Sequence, residues 1–396
     1  MSEHNTNIEY THRGIPPVLS RVSSALLLIG ILVAIISYLT DPVRSAFNNI
    51  VLLMLLTSVG VGSLFLIGIE YLAGAVWSTP FRRVFEFLAS VVLVIPVIAI
   101  PVYLNVHSVY HWSHTDAVAA DKILSGKEPY LNETFFLIRL IAYFVVWIVF
   151  YFIFTSNSKK QDKTKDQKLT KRNIRFSALF MPLFALTLTF SAIDFLMSLE
   201  PHWFSTIFGV YFFAGTVLAS LAAGTFLVIM FVQKGYFIKG IIKDHYYSFG
   251  ALLFAFINFW AYIAFSQYML IWYANLPEET FWFINKWEGS WMYFSIFLII
   301  THFLVPYFAL LSQPSKMNEK RLKFMSIWIL FAHIIDLYWL VLPTFNPEGF
   351  VFSWNEIGFI ILGLGLILTM FNWKARKENI IPIGDPKLKR GLDFRL

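Results

Sequence analysis

Apolar residues in this chain come in long unbroken runs separated by short polar or proline-containing stretches. They do not alternate as in a half-buried strand, nor form the narrow stripe of a soluble helix. The runs lie near residues 22–39, 50–73, 84–106, 134–155, 174–198, 204–232, 246–273, 289–311, 322–342 and 354–373. Each is close to the roughly 20 residues a helix needs to cross a bilayer core. In lipid a backbone must satisfy its own hydrogen bonds, and a barrel strand would be about half as long, so these runs predict helices. The expected fold class is all-α, a polytopic membrane protein with about ten transmembrane helices.

The breaks between runs orient the chain. Lys and Arg crowd alternate connections: Arg13 and Arg21, Arg82 and Arg83, the tract from Lys159 to Arg175, Lys234 to Lys243, Lys316 to Lys323, and the segment after Lys374. The intervening connections carry only Arg44, Lys122, Lys127 and Lys286. By the positive-inside rule both termini are expected in the cytoplasm. Residues 1–21 then form a cytoplasmic segment with no recognisable signal-peptide cleavage pattern, and 374–396 a cytoplasmic basic tail. The polar, Lys-rich stretch 156–173 is expected to be a flexible cytoplasmic linker.

A faint internal repeat relates the two halves. Asp194 closes the fifth run with Pro201 seven residues on, and Asp336 closes the ninth with Pro343 seven residues on. An offset of four spans joins units running in the same sense, which predicts two four-helix bundles at 50–198 and 204–342. Helices 22–39 and 354–373 are expected to flank them, one at each end. Small residues recur in the sixth span at Ala214, Gly215, Ala219, Ala223 and Gly224, a pattern suited to close helix contact.

Composition agrees and narrows the possibilities. Hydrophobic residues make up 58% and charged residues 14% of the chain, a balance a water-soluble core of this size does not need. The formal charge of +7 sits in loops beside spans, so it reads as an orientation signal and not as nucleic-acid binding. With no cysteine, the chain can hold no disulfide, no thiolate-ligated iron–sulfur cluster and no CxxCH haem attachment.

Ionisable residues inside spans cost on the order of 2.5–3.5 kcal/mol each, so they are the first functional candidates. They are Glu70, Asp194, His302, His333 and Asp336, with Arg139 as an ion-pair partner for an acid such as Asp194. Their spread of depths suits a proton path, since carboxylates and imidazoles can take up and release protons. The structural alternative is a set of hydrogen-bonded helix ties, with Glu70 snorkelling to the interface. His333 and Asp336, three apart, share a helix face. His107, His111 and His114 would align if helical, but no fourth ligand accompanies them, so no metal site is expected there and contact with a partner is favoured. Aromatic residues crowd one end of spans six to eight, where Tyr268 and Trp272 with the polar Gln267 form a candidate quinone-binding wall.

Two strings carry a resemblance: DFLMSLEPHWFSTIFGVY at 194–211 and FWAYIAFSQYMLIWYANLPEET at 259–280. They resemble the ActF-type membrane subunits of bacterial alternative complex III, a quinol:electron-acceptor oxidoreductase, in the NrfD/PsrC-like family. The resemblance covers nearly the whole chain in span number and order. It implies two four-helix bundles with a flanking helix at each end, in a bacterial inner membrane. It also implies an ActC-like sister subunit, iron–sulfur and c-type haem subunits, and in some assemblies a terminal oxidase. No cofactor would be bound by this chain alone, haem c and the clusters residing on partners, and quinol would be the ligand to consider. The family's intramembrane acids and imidazoles fall on Asp194, His302, His333 and Asp336, with Glu70 less secure. The expected role is a proton path and scaffold without redox chemistry of its own. The alternatives are a secondary transporter of a small solute or ion, or a purely structural anchor; Pro96 and Pro101 interrupt the third span without a counterpart in the seventh, which speaks against a transporter's paired broken helices.

Overall fold

Ten apolar runs become ten helices. The computed structural model describes residues 14–396, and among these it contains no strand. The helices long and apolar enough to cross a membrane are α1 (Pro17–Thr40), α2 (Pro42–Ala73), α3 (Thr79–Leu104), α4 (Glu133–Thr164), α5 (Gln167–Leu199), α6 (Phe208–Gln233), α7 (Lys243–Ala274), α8 (Trp291–Ala309), α9 (Glu319–Phe345) and α10 (Trp354–Ala375). This is a multi-pass membrane protein. Arg13 and the rest of the expected N-terminal segment up to that point lie outside the described residues, whereas Arg21 is already helical.

Side-chain caps set half of the ten helix starts. Oxygens of Asp41, Asn132, Asp166 and Asn318 accept the N–H of Arg44, Phe135, Lys168 and Arg321, satisfying amides that have no partner within the helix. Ser353 and Glu356 form a capping box at α10. α2 begins eight residues earlier than its apolar run, because its polar first turns face protein. Arg44 and Asn48 bind Glu356 at 2.8 and 2.9 Å, and Asn49 donates to the Ile98 carbonyl at 2.8 Å.

α2 and α6 form the centre. The apolar window of α2 is 89% buried and that of α6 83%, against 22% for α1. α2 packs on α3 and α5, α6 packs on α7 and α9, and the two meet along their length. The outermost helices do not stand apart at opposite ends, since α1 packs chiefly against α10. A Cβ placed on Gly365 would lie 2.6 Å from the Leu27 backbone nitrogen, and one on Gly30 2.5 Å from the Leu362 Cα. Only glycine permits that backbone approach.

Two spans depart from regular α-helix. α3 contains a 3-10 stretch, Ala89–Leu93, just before Pro96. α8 contains a π-helical turn, Ile300–Leu304, which carries Thr301 and His302.

The stretch 156–173 is not a flexible linker. α4 runs on to Thr164 and α5 starts at Gln167, leaving a two-residue turn with Lys165 at φ 52°. Asn157 donates to Asn173 at 2.7 Å and Gln161 to Thr170 at 2.6 Å, so the polar residues zip two helical extensions together. The basic tail is also ordered. It folds under the basic ends of the helices, burying Ile380, Ile381, Asp385 and Leu388.

Candidate functional site

The spacing of His333 and Asp336 on α9 directs both toward α6, where Gly215 leaves room. A Cβ at Gly215 would sit 3.1 Å from the His333 Nδ1. The π turn of α8 brings His302 to the same place, its ring stacked on Trp260 of α7 with centroids 3.8 Å apart. The donor atoms of His302, His333 and Asp336 lie within 4.8 Å of one another, and all three residues are buried. They form the one group of this kind among the described residues. The same donor set could hold a divalent metal, although no fourth protein ligand accompanies it.

Partners around the cluster are few and neutral. The Tyr211 hydroxyl donates a short hydrogen bond to the Asp336 Oδ1, and the Trp260 Nε1 donates to the Oδ2 at 3.2 Å. His333 Nε2 meets the Ser58 hydroxyl of α2 at 2.9 Å. Both ring nitrogens of His302 and the Nδ1 of His333 have no protein hydrogen-bond partner. No cation is within ion-pair reach of Asp336 among the described residues. A buried carboxyl beside unpartnered imidazole nitrogens is an expensive arrangement to keep for packing alone.

Asp194 has the opposite environment. Arg139 binds it through Nε and Nη2, both at 2.9 Å, while Tyr143 and Tyr130 donate at 2.6 and 3.0 Å. Four donors occupy its lone pairs, so this acid ties α4 to α5. Asp194 sits in the last regular turn before Phe195 and Asp336 well inside α9, and only the first meets a guanidinium.

Glu70 does not snorkel. It is 7% exposed and binds Arg82 at 3.1 Å; Arg82 also binds Glu86 at 3.3 Å and the tail's Asp385 at 2.7 Å. Arg83 extends the network to Glu86 and Asp162, at 3.2 and 2.5 Å. The structure therefore brings together three of the five proposed path residues and leaves Glu70 and Asp194 in separate ion networks.

An apolar cavity of ≈ 630 Å³ lies against the cluster, with Tyr211 and Trp260 in its wall together with Tyr268, Phe283, Trp287 and Trp339. Of the proposed quinone wall only Tyr268 lines it. Gln267 is buried and accepts from the Ser205 hydroxyl at 3.0 Å, and Trp272 is 60% exposed on the outside of α7. Gln267 is turned about 100° from Tyr268 into the protein, and Trp272, one turn further along the face that carries Tyr268, lies beyond the cavity.

Tyr211 and Trp260 went unassigned in the sequence although both lie within the two strings singled out there. Lys286 also escaped notice as a buried group. It sits between α7 and α8, 2% exposed, with its ammonium 3.6 Å from the Trp282 ring centroid and 5.3 Å from that of Trp339. Burial pushes its amine down to about 7, with Glu200 acting weakly in the other direction. The helix breaks at Tyr110, yet the His114 ring centroid lies 5.6 Å from that of His107 and 6.4 Å from that of His111, without making a metal-type donor group among the described residues. His114 Nε2 instead meets the His107 carbonyl at 2.8 Å, and His107 lies 3.4 Å from Glu133.

Fold and site together define a multi-pass, all-helical membrane protein of ten candidate spans, with a buried acid–imidazole cluster beside an apolar cavity. No protein-family model matches the chain, and no curated protein matches it.

Proposed function

We propose that this chain is a membrane subunit of a quinol-oxidising respiratory complex of the alternative complex III type, contributing a proton-exchanging site and scaffolding. The observation that carries the reading is the contrast between two buried acids. Asp194 is neutralised by Arg139, whereas Asp336 has only the uncharged donors Tyr211 and Trp260, with His302 and His333 beside it. A carboxyl that can be protonated without breaking an ion pair, next to imidazoles with free nitrogens, is suited to accept and pass on a proton. The two strings at 194–211 and 259–280 support the placement in such a complex. The lack of cysteine agrees with iron–sulfur clusters and c-type haems residing on partner subunits, beside an ActC-like sister and a terminal oxidase in some assemblies. The membrane in this reading is the bacterial inner membrane, with the basic side and both termini cytoplasmic.

The cavity favours a further element of the same reading. Its size and aromatic wall fit a quinol ring with part of an isoprenoid chain, and Tyr211 connects that space to Asp336. Tyr268 would flank the ring, while Gln267 and Trp272 would take no part.

The test starts with gentle solubilisation of membranes carrying the tagged full chain. Co-purification of haem c-containing partners is expected; a solitary chain that moves a solute would favour the transporter reading and overturn this one. In the purified complex reconstituted into vesicles, Asp336→Asn should lower protons translocated per electron at unchanged haem content. An unchanged ratio in Asp336→Asn and in His302→Gln would remove the cluster from the proton path. Metal analysis of the wild-type complex separates the remaining chemistry, since a stoichiometric divalent ion lost in His302→Gln would make the cluster a metal centre instead.

A further inference from the structure

The first turns of α5 carry Lys168, Lys171, Arg172 and Arg175 at positions i, i+3, i+4 and i+7. That spacing puts all four on one helix face, spread over about 10 Å. All four are exposed, and with Phe176 they line a single surface recess of ≈ 520 Å³. Among the described residues none of the four lies within ion-pair distance of a carboxylate. Their neighbours on the same side are arranged differently: Arg82 and Arg83 are buried in ion pairs, and Lys159 is bound to Glu378. The nearby acid, Asp166, is turned to the helix's own amides, accepting the Lys168 N–H at 2.9 Å.

Depth decides what such a face meets. The apolar run of α5, 174–198, starts where Arg175 stands, so the recess lies where the hydrocarbon ends and the headgroups begin. Phe176 is partly exposed, and the Arg172 guanidinium sits 5.6 Å from its ring centroid, which gives the recess an apolar floor on its membrane side. Like charges on adjacent turns of one helix face and without counter-ions repel one another, so an anion that enters relieves the repulsion. Arginine and lysine together bind phosphate oxygens well, the first as a fork and the second as a point charge.

We propose that this face of α5 is a binding site for the phosphodiester headgroup of an anionic phospholipid in the adjoining leaflet, with the acyl chains running down along Phe176. The lipid would hold the extended ends of α4 and α5 at a constant depth.

The full chain, purified in mild detergent and placed in nanodiscs of mixed phosphatidylcholine and phosphatidylglycerol, should retain phosphatidylglycerol preferentially when the bound lipids are counted by native mass spectrometry. Preference should fall roughly fivefold for each charge removed among Lys168→Gln, Lys171→Gln, Arg172→Gln and Arg175→Gln. The side chains are exposed, so the variants should keep the wild-type circular dichroism and melting behaviour in detergent. Lys320→Gln with Lys323→Gln, on another connection of the same side, serves as the control and should leave retention unchanged. Undiminished retention in the fourfold variant, or an equal loss per charge in the control, would overturn the proposal. So would saturable binding of an acidic soluble subunit that the fourfold variant loses while its lipid retention stays at the wild-type level.

Discussion

Lys286 shows how one side chain can tie stability to pH. Its amine is held down to about 7 by burial, against roughly 10.4 in an unfolded chain. Between those values the unfolded state binds more protons, so stability should rise with pH across that window. Below about pH 7 both states are charged and the full penalty of burying the ammonium applies, offset in part by the Trp282 ring face. Lys286→Met should therefore raise the melting temperature at pH 6 and flatten its dependence between pH 7 and 10. A variant that melts with the same pH slope as the wild type would show that Lys286 is not the group responsible. At Arg139 the direction reverses. Removing one member of a buried pair strands the other, so Arg139→Leu should destabilise by about 3–5 kcal/mol. Arg139→Leu with Asp194→Asn should recover much of that loss in thermal unfolding of the detergent-solubilised protein; no recovery would mean the pair is not the tie it looks like.

Helices are held at distances their smallest residues allow. Along α1 and α10, Gly30 and Gly365 bring backbones together where a side chain would have to displace the opposite helix. Gly365→Leu is expected to detach α1, read as faster proteolysis or deuterium exchange confined to residues 17–40, with α2 and α6 still protected. Uniform protection would argue against close packing there. The π turn of α8 works in a different way. By inserting one residue into the helical count it turns His302 onto Trp260, a rotation that no regular helix would make. The equal spacing of Asp194 and Asp336 from their prolines does not mark equivalent helix ends, since Pro201 lies beyond α5 and Pro343 lies inside α9. What each acid faces was not visible, since its partners come from helices tens of residues away.

At the scale of the molecule, the ion network of Arg82 and Arg83 makes the C-terminal tail a structural part of the basic side. Asp385→Ala should lower the melting temperature although its residue is near the chain's end, because it leaves Arg82 with one buried acceptor fewer. An unaltered melting curve would mean that Glu70 and Glu86 suffice. The chain's lack of cysteine makes orientation directly measurable. Lys163→Cys and Lys387→Cys are expected to react with an impermeant maleimide only from the cytoplasmic side, and Glu279→Cys only from the other. Labelling of the first two from opposite sides would break the order of spans on which the placement of the site depends.

The sequence by itself determined the number of helices, their order and their class, because the bilayer enforces the same rule on every span: long apolar runs, self-satisfied backbone, charges in the connections. It also named the residues of the cluster, since an ionisable group in hydrocarbon stands out against any apolar background. Only the tertiary structure decided which of those groups are neutralised, that Glu70 and Asp194 belong to ion networks while Asp336, His302 and His333 meet beside a cavity, and that the polar tract 156–173 is the paired ends of α4 and α5. Those outcomes depend on which side chains from distant helices arrive at the same point, and no local pattern along a chain encodes that arrival.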